Sequence, residues 1–503
     1  MALLDSGLYN ERRGALSAFA TFPDAKIYDQ EDSEKWVQHL IFGDYIKILD
    51  LTIINERVKV FSRGSEGWID IDSIQKKRIL EVNFIDIGQG DGCHLVTPDD
   101  EHYLIDAGKG DNMYRYLFWR FNLDINRNLG IKFKAILSHP DNDHFLGFRD
   151  IFKSGAVKFD KIYHSGVVQR PKNTAKRWNT EIGEAIKLSD DKKYLLSIVG
   201  TNEEMNSLLE DSGNLSGSGS QYLKTLNLSR KNAPLPEFVT LDQNHKDINV
   251  LDGQQFRMKV LSPIIKKMDG KNVLPYFRSL SKTKNGHSVL IRVEYKGLRI
   301  LLGGDINEEA GKYINRQLAP NANQELRVDV AKACHHGSHL FSYEFLENLN
   351  ALCTVISSGD DESYSHPRPD TIGALGKTGY SKRPLIFSTE LARSNKEFSK
   401  SSVPVLVKKY QLWEDLKNDL LSFKRDYVPT PENAKLLELK EKEEMDAYKE
   451  INSYLTRYGM ISLRSDGEKM ILAQKLERDS HSGKYDIYKF QFDTAANRFN
   501  RIK

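Results

Sequence analysis

The sequence predicts a mixed α/β (α+β) fold, and three observations carry that prediction. Apolar runs of strand length end at glycines and are followed at once by an ionisable residue, as in Leu301-Leu302-Gly303-Gly304-Asp305. An N-terminal stretch alternates apolar and polar residues in short runs, which is typical of a small β module. Near the C-terminus, a helix start signal precedes a long charged helix and a hairpin. With 503 residues, the chain exceeds one ordinary core, and we expect two to three domains.

The first predicted unit is a small β module at residues 36–77, preceded by an N-terminal segment at residues 1–35. Short alternating runs separated by turns fill residues 45–74, and strands of this length and spacing suggest an SH3-like β-barrel. The phrase Gly67-Trp68-Ile69 resembles bacterial SH3-like modules. Such a module more often binds a partner or packs on its own enzyme than performs chemistry.

A dense group of candidate metal ligands follows the apolar run at residues 135–137. The chain continues as Ser-His-Pro-Asp-Asn-Asp-His, which places four ligand side chains on one tight loop: His139, Asp141, Asp143 and His144. An ordinary acidic turn is the competing interpretation, since Asp, Asn and Pro are turn formers. Imidazoles and carboxylates together suit a borderline or hard divalent cation rather than a thiolate-type site.

Matching strand ends elsewhere favour the metal site over the simple turn. Asp305 follows a glycine pair, His335 and His336 stand on a glycine-ended loop, and two further apolar runs lead to Asp91 and Asp106. Burying so many carboxylates and imidazoles without a cation would be costly. We therefore expect these strand ends to meet around bound metal.

The order of these motifs resembles that of the metallo-β-lactamase superfamily, and within it the soluble hydrolase domain of ComEC-type competence proteins. The motifs are Gly-Gln-Gly-Asp, Ile-Asp-Ala-Gly, His-x-Asp-x-Asp-His, Gly-Gly-Asp and His-His-Gly-Ser. The resemblance implies a four-layer αββα metallo-β-lactamase sandwich with metals at one edge between two β-sheets, and we assign it to residues 78–402. It does not imply β-lactam hydrolysis, because the superfamily hosts many chemistries.

The resemblance also implies a binuclear site that holds two divalent metal ions. The implied ligands are His139 and Asp141 for one ion, Asp143 and His144 for the other, Asp305 as the bridge, and one of His335 and His336, which the sequence leaves open. The superfamily commonly has His where this chain has Asp141. The harder oxygen donor favours Mn²⁺, with Zn²⁺ as the alternative.

Four residues have expected catalytic roles. By resemblance, Asp106 would hydrogen-bond a ligand histidine and fix its tautomer. His366, in a His-Pro motif, would protonate a departing alkoxide. Lys332 would stabilise phosphate charge, and Asp143 acts as a ligand of the reacting centre.

The third motif of the family leaves two residues open. Superfamily members often have a histidine before a strand at the position of His287, whereas ComEC-like chains often use an asparagine, for which Asn285 is available. His287 is then either a metal ligand or substrate contact, or an ordinary histidine at a strand start.

The composition predicts a soluble, cytoplasmic protein. Hydrophobic residues make up 39% and charged residues 28% of the chain, and the net charge of +3 creates no strong global field for nucleic acid. Cys93, Cys334 and Cys353 lack paired spacing, which argues against a disulfide framework and for a reducing compartment. We expect neither a signal peptide nor a membrane span.

Two further segments differ in character from their surroundings. Residues 202–228 contain a Gly- and Ser-rich run, and we expect a flexible insertion there. Residues 403–503 are expected to form a helical extension with a start at Thr430-Pro431-Glu432, followed by a terminal β hairpin.

These observations favour a metal-dependent phosphodiesterase or nuclease that hydrolyses nucleic acid, with DNA favoured. The alternative is a metallohydrolase of a small molecule such as a lactone, thioester or cyclic nucleotide. A non-catalytic binding protein on the same fold is a third interpretation, against which the intact ligand set argues. A protein partner could bind through the SH3-like module or the C-terminal helix.

Overall fold

The fold combines several β-sheets with helices, which confirms the mixed α/β class. The computed structural model describes residues 9–10, 15–123, 129–172, 178–231, 233–251, 253, 255–358, 365–392, 395–396, 402–454, 457–476, 480 and 483–503.

The N-terminal strands form an antiparallel sheet around a small core of their own. They are β1 (Tyr9–Asn10), β2 (Ala15–Ala20), β3 (Asp24–Tyr28), β4 (Trp36–Ile41), β5 (Tyr45–Ile48), β6 (Arg57–Ser62), β7 (Ser65–Asp70) and β8 (Ile74–Gln75). The sheet order is β1-β2-β5-β6-β7-β3-β4, and β8 pairs with β2. Ile27, Leu40, Ile46, Val58 and Ile69 fill the core. The short strands expected within residues 45–74 are present, and β2 and β3 bring the preceding segment into the same sheet.

A long mixed sheet, here the first large sheet, carries several of the strand ends singled out in the sequence. Its order is β16-β13-β12-β11-β10-β9-β28-β29-β30-β31, parallel from β16 to β11 and antiparallel beyond. The strands are β9 (Leu80–Ile85), β10 (Gly92–Val96), β11 (His102–Ala107), β12 (Lys132–Leu137), β13 (Lys158–His164), β16 (Glu237–Thr240), β28 (Met460–Ser465), β29 (Lys469–Lys475), β30 (Tyr485–Asp493) and β31 (Arg498–Ile502).

A second large sheet carries the remaining strand ends in the order β17-β18-β21-β22-β23-β24-β25. Its strands are β17 (Val250–Leu251), β18 (Phe256–Ser262), β21 (Leu290–Tyr295), β22 (Leu298–Gly303), β23 (Val330–Lys332), β24 (Cys353–Ile356) and β25 (Leu385–Ser388). Smaller pairings involve β14 (Ala185–Lys187), β15 (Lys193–Leu195), β19 (Lys266–Met268) and β20 (Lys271–Pro275), and separately β26 (Asn395–Lys396) with β27 (Arg457–Tyr458).

The two large sheets share one apolar core. Phe84, Leu95 and Tyr103 of the first sheet belong to the same buried cluster as Val260 and Ile300 of the second. Because the sheets face each other, the loops that follow β11, β12, β22 and β23 can converge.

Helices cover the outer face of each large sheet. The helices of the described residues are α1 (Asn112–Phe121), α2 (Asn142–Phe145), α3 (Phe148–Ser154), α4 (Asn202–Glu210), α5 (Gln221–Ser229), α6 (Leu280–Gly286), α7 (Glu308–Leu318), α8 (Ala322–Glu325), α9 (Tyr343–Leu349), α10 (Pro369–Thr378), α11 (Ser402–Arg425) and α12 (Pro431–Tyr454). Leu117, Ile151 and Leu223 pack α1, α3 and α5 on the first sheet. Ile314 and Phe345 pack α7 and α9 on the second.

The terminal hairpin predicted from the sequence is present, and it lies inside the first large sheet. β28 pairs with β9 from Met460 opposite Ile85 to Ser465 opposite Leu80. The buried Arg464 donates to Asn83 Oδ1 at 3.0 Å and lies 3.2 Å from Glu81 Oε1, both on β9. The C-terminal strands therefore complete the sheet that carries the candidate site.

The expectation of a flexible insertion at residues 202–228 is wrong for most of the segment, which forms α4 and α5. A capping box between Thr201 and Glu204 starts α4. Met205 and Leu226 are buried against the first large sheet. The prediction from composition failed because the Gly and Ser residues lie in the short connection between the two helices. The apolar residues on either side of that connection have helical spacing.

The predicted start of the C-terminal helix is confirmed, since α12 begins at Pro431 and Thr430 Oγ1 accepts the N–H of Asn433 at 3.1 Å. α12 packs against α11, and Trp413 Nε1 donates to Glu444 Oε1 at 2.7 Å across the pair. Within the described ranges, no helix is both long enough and apolar enough to cross a bilayer.

The position of β28 generates a stability prediction. Leu463 is fully buried in the core between the two large sheets, so Leu463→Ala should lower the free energy of unfolding by about 2–5 kcal/mol, because it leaves a cavity. Leu439 on α12 is 53% exposed, and Leu439→Ala should change it by no more than about 0.5 kcal/mol. Denaturant unfolding followed by circular dichroism measures both.

Equal, small effects of the two substitutions would contradict the placement of the C-terminal strands in the core.

Candidate metal centre

The predicted strand ends meet at one edge of the two large sheets. Asp106 ends β11, Ser138 follows β12, Asp305 follows β22, and the turn Cys334–Gly337 follows β23. Glycine permits this approach: a Cβ on Gly304 would overlap the Ser138 and Ser288 side chains. The loops of both sheets therefore touch where the sequence places its ionisable residues.

The Asp305 carboxylate is the centre of this edge, and its two oxygens face different groups. Asp305 Oδ2 lies 3.9 Å from His139 Nε2 and 3.6 Å from His335 Nε2. Asp141 joins this side, with its Oδ2 at 3.6 Å from His139 Nε2. We call His139, Asp141 and His335 the first group.

The other oxygen of Asp305 faces a second set of side chains. Asp305 Oδ1 lies 3.3 Å from His144 Nε2 and 3.3 Å from His336 Nε2, and these two nitrogens are 3.2 Å apart. Asp143 Oδ2 is 3.9 Å from His336 Nε2. We call Asp143, His144 and His336 the second group. The sequence left one histidine of the pair to be chosen, and the structure brings both to Asp305, one on each side.

Two further carboxylates hold the second group from behind. Asp106 Oδ2 lies 2.8 Å from His144 Nδ1, and its Oδ1 accepts the N–H of Ser138 at 2.8 Å. Asp91 Oδ1 lies 2.9 Å from His336 Nδ1. Each carboxylate takes the Nδ1 side of its imidazole, so each Nε2 points at Asp305. Such outer partners fix ring orientation and tautomer at metal sites.

The opposite charges in the cluster shift the pKa values of its side chains. Burial disfavours the charged imidazole of His336, but Asp305 and Asp91 outweigh this effect and raise its pKa to about 10. Burial likewise opposes ionisation of Asp305, yet His336 and His144 hold the pKa of its carboxyl well below the usual range. In the protein alone, the buried carboxylates therefore favour the protonated form of His336. A cation can take over the role of that proton.

The donor atoms fit a divalent cation. Ligand atoms of Asp91, His144, Asp305 and His336 all lie within 4.8 Å of one another, and all four residues are buried. His139 Nε2 and Asp305 Oδ1 are buried and have no hydrogen-bond partner among the described residues. Buried polar atoms are normally satisfied, and imidazole with carboxylate suits a borderline or hard ion. This buried Asp/His cluster could therefore bind a metal ion.

The cluster opens into a cleft with a volume of about 540 Å³. Asp141, Asp143, Asp305 and both histidines of the pair line it, together with His366. The His366 ring centre is 5.8 Å from that of His335 and 6.3 Å from that of His336. Three cationic side chains also line the cleft: Lys109, Lys284 and Arg368.

His287 is not brought to the cluster. Its Nε2 lies 2.7 Å from the carbonyl oxygen of Pro275, and its ring stacks on Phe277 at 4.8 Å. Burial lowers its pKa to about 4. Its Nε2 is thus engaged by the backbone, and His287 is neither in the cluster nor in the cleft lining, so the structure contradicts the assignment of His287 as a ligand.

Asn285, the other residue considered for this motif, lies at the cleft. With its amide nitrogen turned towards Asp141, it donates to Asp141 Oδ2 at 2.9 Å and to Ser281 O at 3.0 Å. Asn285 therefore orients a carboxylate of the first group.

Lys332 does not reach the cleft, which corrects its predicted role as a phosphate contact. Its Nζ is buried, pairs with Asp91 and donates to Gly303 O at 3.0 Å. Burial disfavours its charge, but Asp91 and Asp305 outweigh this effect and raise its pKa. Lys332 thus holds Asp91 in place beneath the second group.

Sequence reasoning missed the roles of Asp91 and Lys284. The sequence identified Asp91 as an ionisable residue after an apolar run but gave it no role. Its contact with His336 forms only because two loops that are distant in sequence meet. Lys284 lies next to Asn285 and pairs with Asp141. Its proximity to the third motif was the available signal. His339, which also lines the cleft, lies three residues after His336 in the sequence.

The chain is similar to ComE operon protein 3 of Bacillus subtilis (strain 168), with 30% identity over 310 residues. The match covers 59% of this chain and 30% of the relative, so the chain spans less than a third of the relative's length. No family model matches the chain. The similarity supports the ComEC-type resemblance of the motifs at the level of a distant relative.

We predict that the purified protein binds close to two divalent ions and that Asp305→Asn removes most of them, because Asp305 faces both groups. His287→Gln should retain the metal, since His287 bonds to Pro275 instead. Metal analysis by mass spectrometry after dialysis measures both, with thermal melting as a check of folding.

Full metal content in a folded Asp305→Asn variant, or equal loss in His287→Gln, would show that the cluster is not the binding site.

Proposed function

We propose that this protein is a metal-dependent phosphodiesterase that hydrolyses nucleic acid, with DNA as the favoured substrate. The observation that carries the proposal is the division of the site: one buried carboxylate, Asp305, with a group of imidazole and carboxylate donors on each of its oxygens. Binuclear sites of this kind act on phosphodiesters, where two ions can serve the attacking and the leaving oxygen. The open cleft with cationic walls fits an anionic polymer.

The arrangement of sheets and helices also supports this proposal. Two facing sheets with helices on both outer faces fit the metallo-β-lactamase sandwich that the motifs resemble. The unit would comprise residues 78–402 together with the strands of the terminal hairpin, because β28 pairs with β9. We assign the N-terminal sheet as an SH3-like module that packs on this unit through Ile41 and Phe42 against Ile471.

The first and second groups would each hold one ion, and Asp305 would lie between them. When bound, the ions would act as Lewis acids towards the phosphate oxygens. Asp141 contributes a hard oxygen donor to the first group, so we propose Mn²⁺ as the preferred ion.

The protein's own residues prepare this site and complete the reaction. Asp106 and Asp91 keep the Nε2 atoms of His144 and His336 directed at Asp305. Lys284 balances the charge of Asp141 at the cleft wall. His366 lies beside both histidines of the pair and faces the cleft, where its imidazole can donate a proton to the departing oxygen.

A substrate panel tests the proposed function. Protein stripped of metal and reloaded with Mn²⁺ should hydrolyse bis(p-nitrophenyl) phosphate and a DNA oligonucleotide, with lower rates after loading with Zn²⁺. Asp305→Asn should abolish both activities, whereas His287→Gln should keep them. Lactone and thioester substrates should remain intact.

Turnover of a lactone or thioester without phosphodiester cleavage would replace this function with the small-molecule alternative. Faster reaction with Zn²⁺ than with Mn²⁺ would refute the metal preference alone.

His366→Ala should lower turnover of an oligonucleotide by about 10²–10⁴-fold while metal content is retained, because general acid catalysis contributes an effect of that size. The loss should shrink for bis(p-nitrophenyl) phosphate, whose leaving group needs little protonation. His245→Ala, a change outside the cleft, serves as the matched control. Steady-state kinetics on both substrates gives the comparison.

An equal loss on both substrates would exclude proton donation by His366, and full activity on both would return it to the structural histidines.

A further inference from the structure

Arg368 is a cation in the cleft that the site described above does not use. It lies between Pro367 and Pro369, immediately before α10, and its backbone N–H donates to Gly337 O at 2.9 Å. Gly337 follows His336 directly, so this bond ties Arg368 to the loop that carries the second group. Its side chain lines the cleft.

The charge of Arg368 is not balanced by a carboxylate as the charges of Lys332 and Lys284 are. Lys332 pairs with Asp91, and Lys284 pairs with Asp141. Arg368 forms no ion pair with a carboxylate of the described residues, and its Nε is buried with no hydrogen-bond partner there. A half-buried guanidinium without an anion is costly. An anion from outside the protein would restore the balance.

The position of Arg368 indicates which anion it meets. His366 stands over the histidine pair, at ring distances of 5.8 Å and 6.3 Å. Arg368 is two residues further on, so its Cα is at most about 7 Å from that of His366. The reacting phosphate would face Asp305, and Arg368 lines the same cleft, two residues after His366, the proposed donor to the leaving oxygen. A phosphate on the leaving-group side would therefore be the one nearest to this arginine.

We propose that Arg368 binds the phosphate next to the scissile one on a nucleic-acid strand, on the leaving-group side. This proposal rests on the proposed phosphodiesterase function. A guanidinium offers parallel N–H donors that match two phosphate oxygens, which an ammonium cannot do. Arg368 would thus be a positioning residue that favours a polymer over a substrate with a single phosphate.

Binding of fluorescein-labelled hexathymidylate to the Ca²⁺-loaded full-length protein, measured by fluorescence anisotropy, tests the proposal. Arg368→Gln should weaken binding by at least about tenfold, and it should reduce the slope of log affinity against log salt concentration by about 0.7, the value for one lost phosphate contact on a single strand. Arg368→Lys should restore the slope but only part of the affinity. Arg316→Gln, at an exposed arginine on α7, is the matched control and should bind like wild type.

Unchanged affinity and slope in Arg368→Gln, or an equal change in Arg316→Gln, would overturn the proposal, as would failure of the wild type to bind the strand. The proposed function is tested separately with the Mn²⁺-loaded wild type. A gel measures cleavage of the same oligonucleotide, and absorbance measures hydrolysis of bis(p-nitrophenyl) phosphate. Binding through Arg368 without hydrolysis of either substrate would sustain the contact and refute the enzyme.

Discussion

The rest of the site depends on one constraint, the buried carboxylate of Asp305. Two imidazoles lie near each of its two oxygens. A charge at that depth is tolerated only where opposite charge or coordination surrounds it. The surrounding features serve that requirement. Gly304 lets the backbone before Asp305 lie against Ser138, Asp91 and Asp106 hold the imidazoles from behind, and Lys332 balances Asp91. These groups meet because the loops that carry them lie at the shared edge of the two sheets.

Much of the site could be predicted because local sequence determines it. Each strand end pairs a buried run with glycine and an ionisable residue, and such ends collect where two sheets meet. The choice between His335 and His336 could not be read in this way. Both residues adopt left-handed backbone angles, with φ of 54° and 52°, and this turn directs their rings to opposite sides of Asp305. A conformation that non-glycine residues rarely adopt is imposed by the packing of the loops, not by propensity.

The fold likewise has parts that local sequence predicts and parts that depend on contacts between distant segments. Alternation predicted the strands of the N-terminal sheet, and capping signals predicted the start of α12. Composition failed at residues 202–228, where a few glycines and serines outweighed the helical spacing beside them. No local signal shows that β28 pairs with β9, because the sheet contact joins segments from nearly opposite ends of the chain.

That pairing has a consequence for how the protein is made. One edge of β9, which ends at Ile85, has no strand to pair with until the ribosome has synthesised the long segment that leads to β28, which begins at Met460. At ordinary elongation rates the delay is on the order of tens of seconds. During that time an apolar strand edge between two nascent sheets is available to other chains, which is the situation that promotes aggregation. The sheet that carries the candidate metal centre can therefore be completed only after β28 has been synthesised, and the yield of folded protein in a cell should depend on chaperones that cover the open edge of β9 in the meantime.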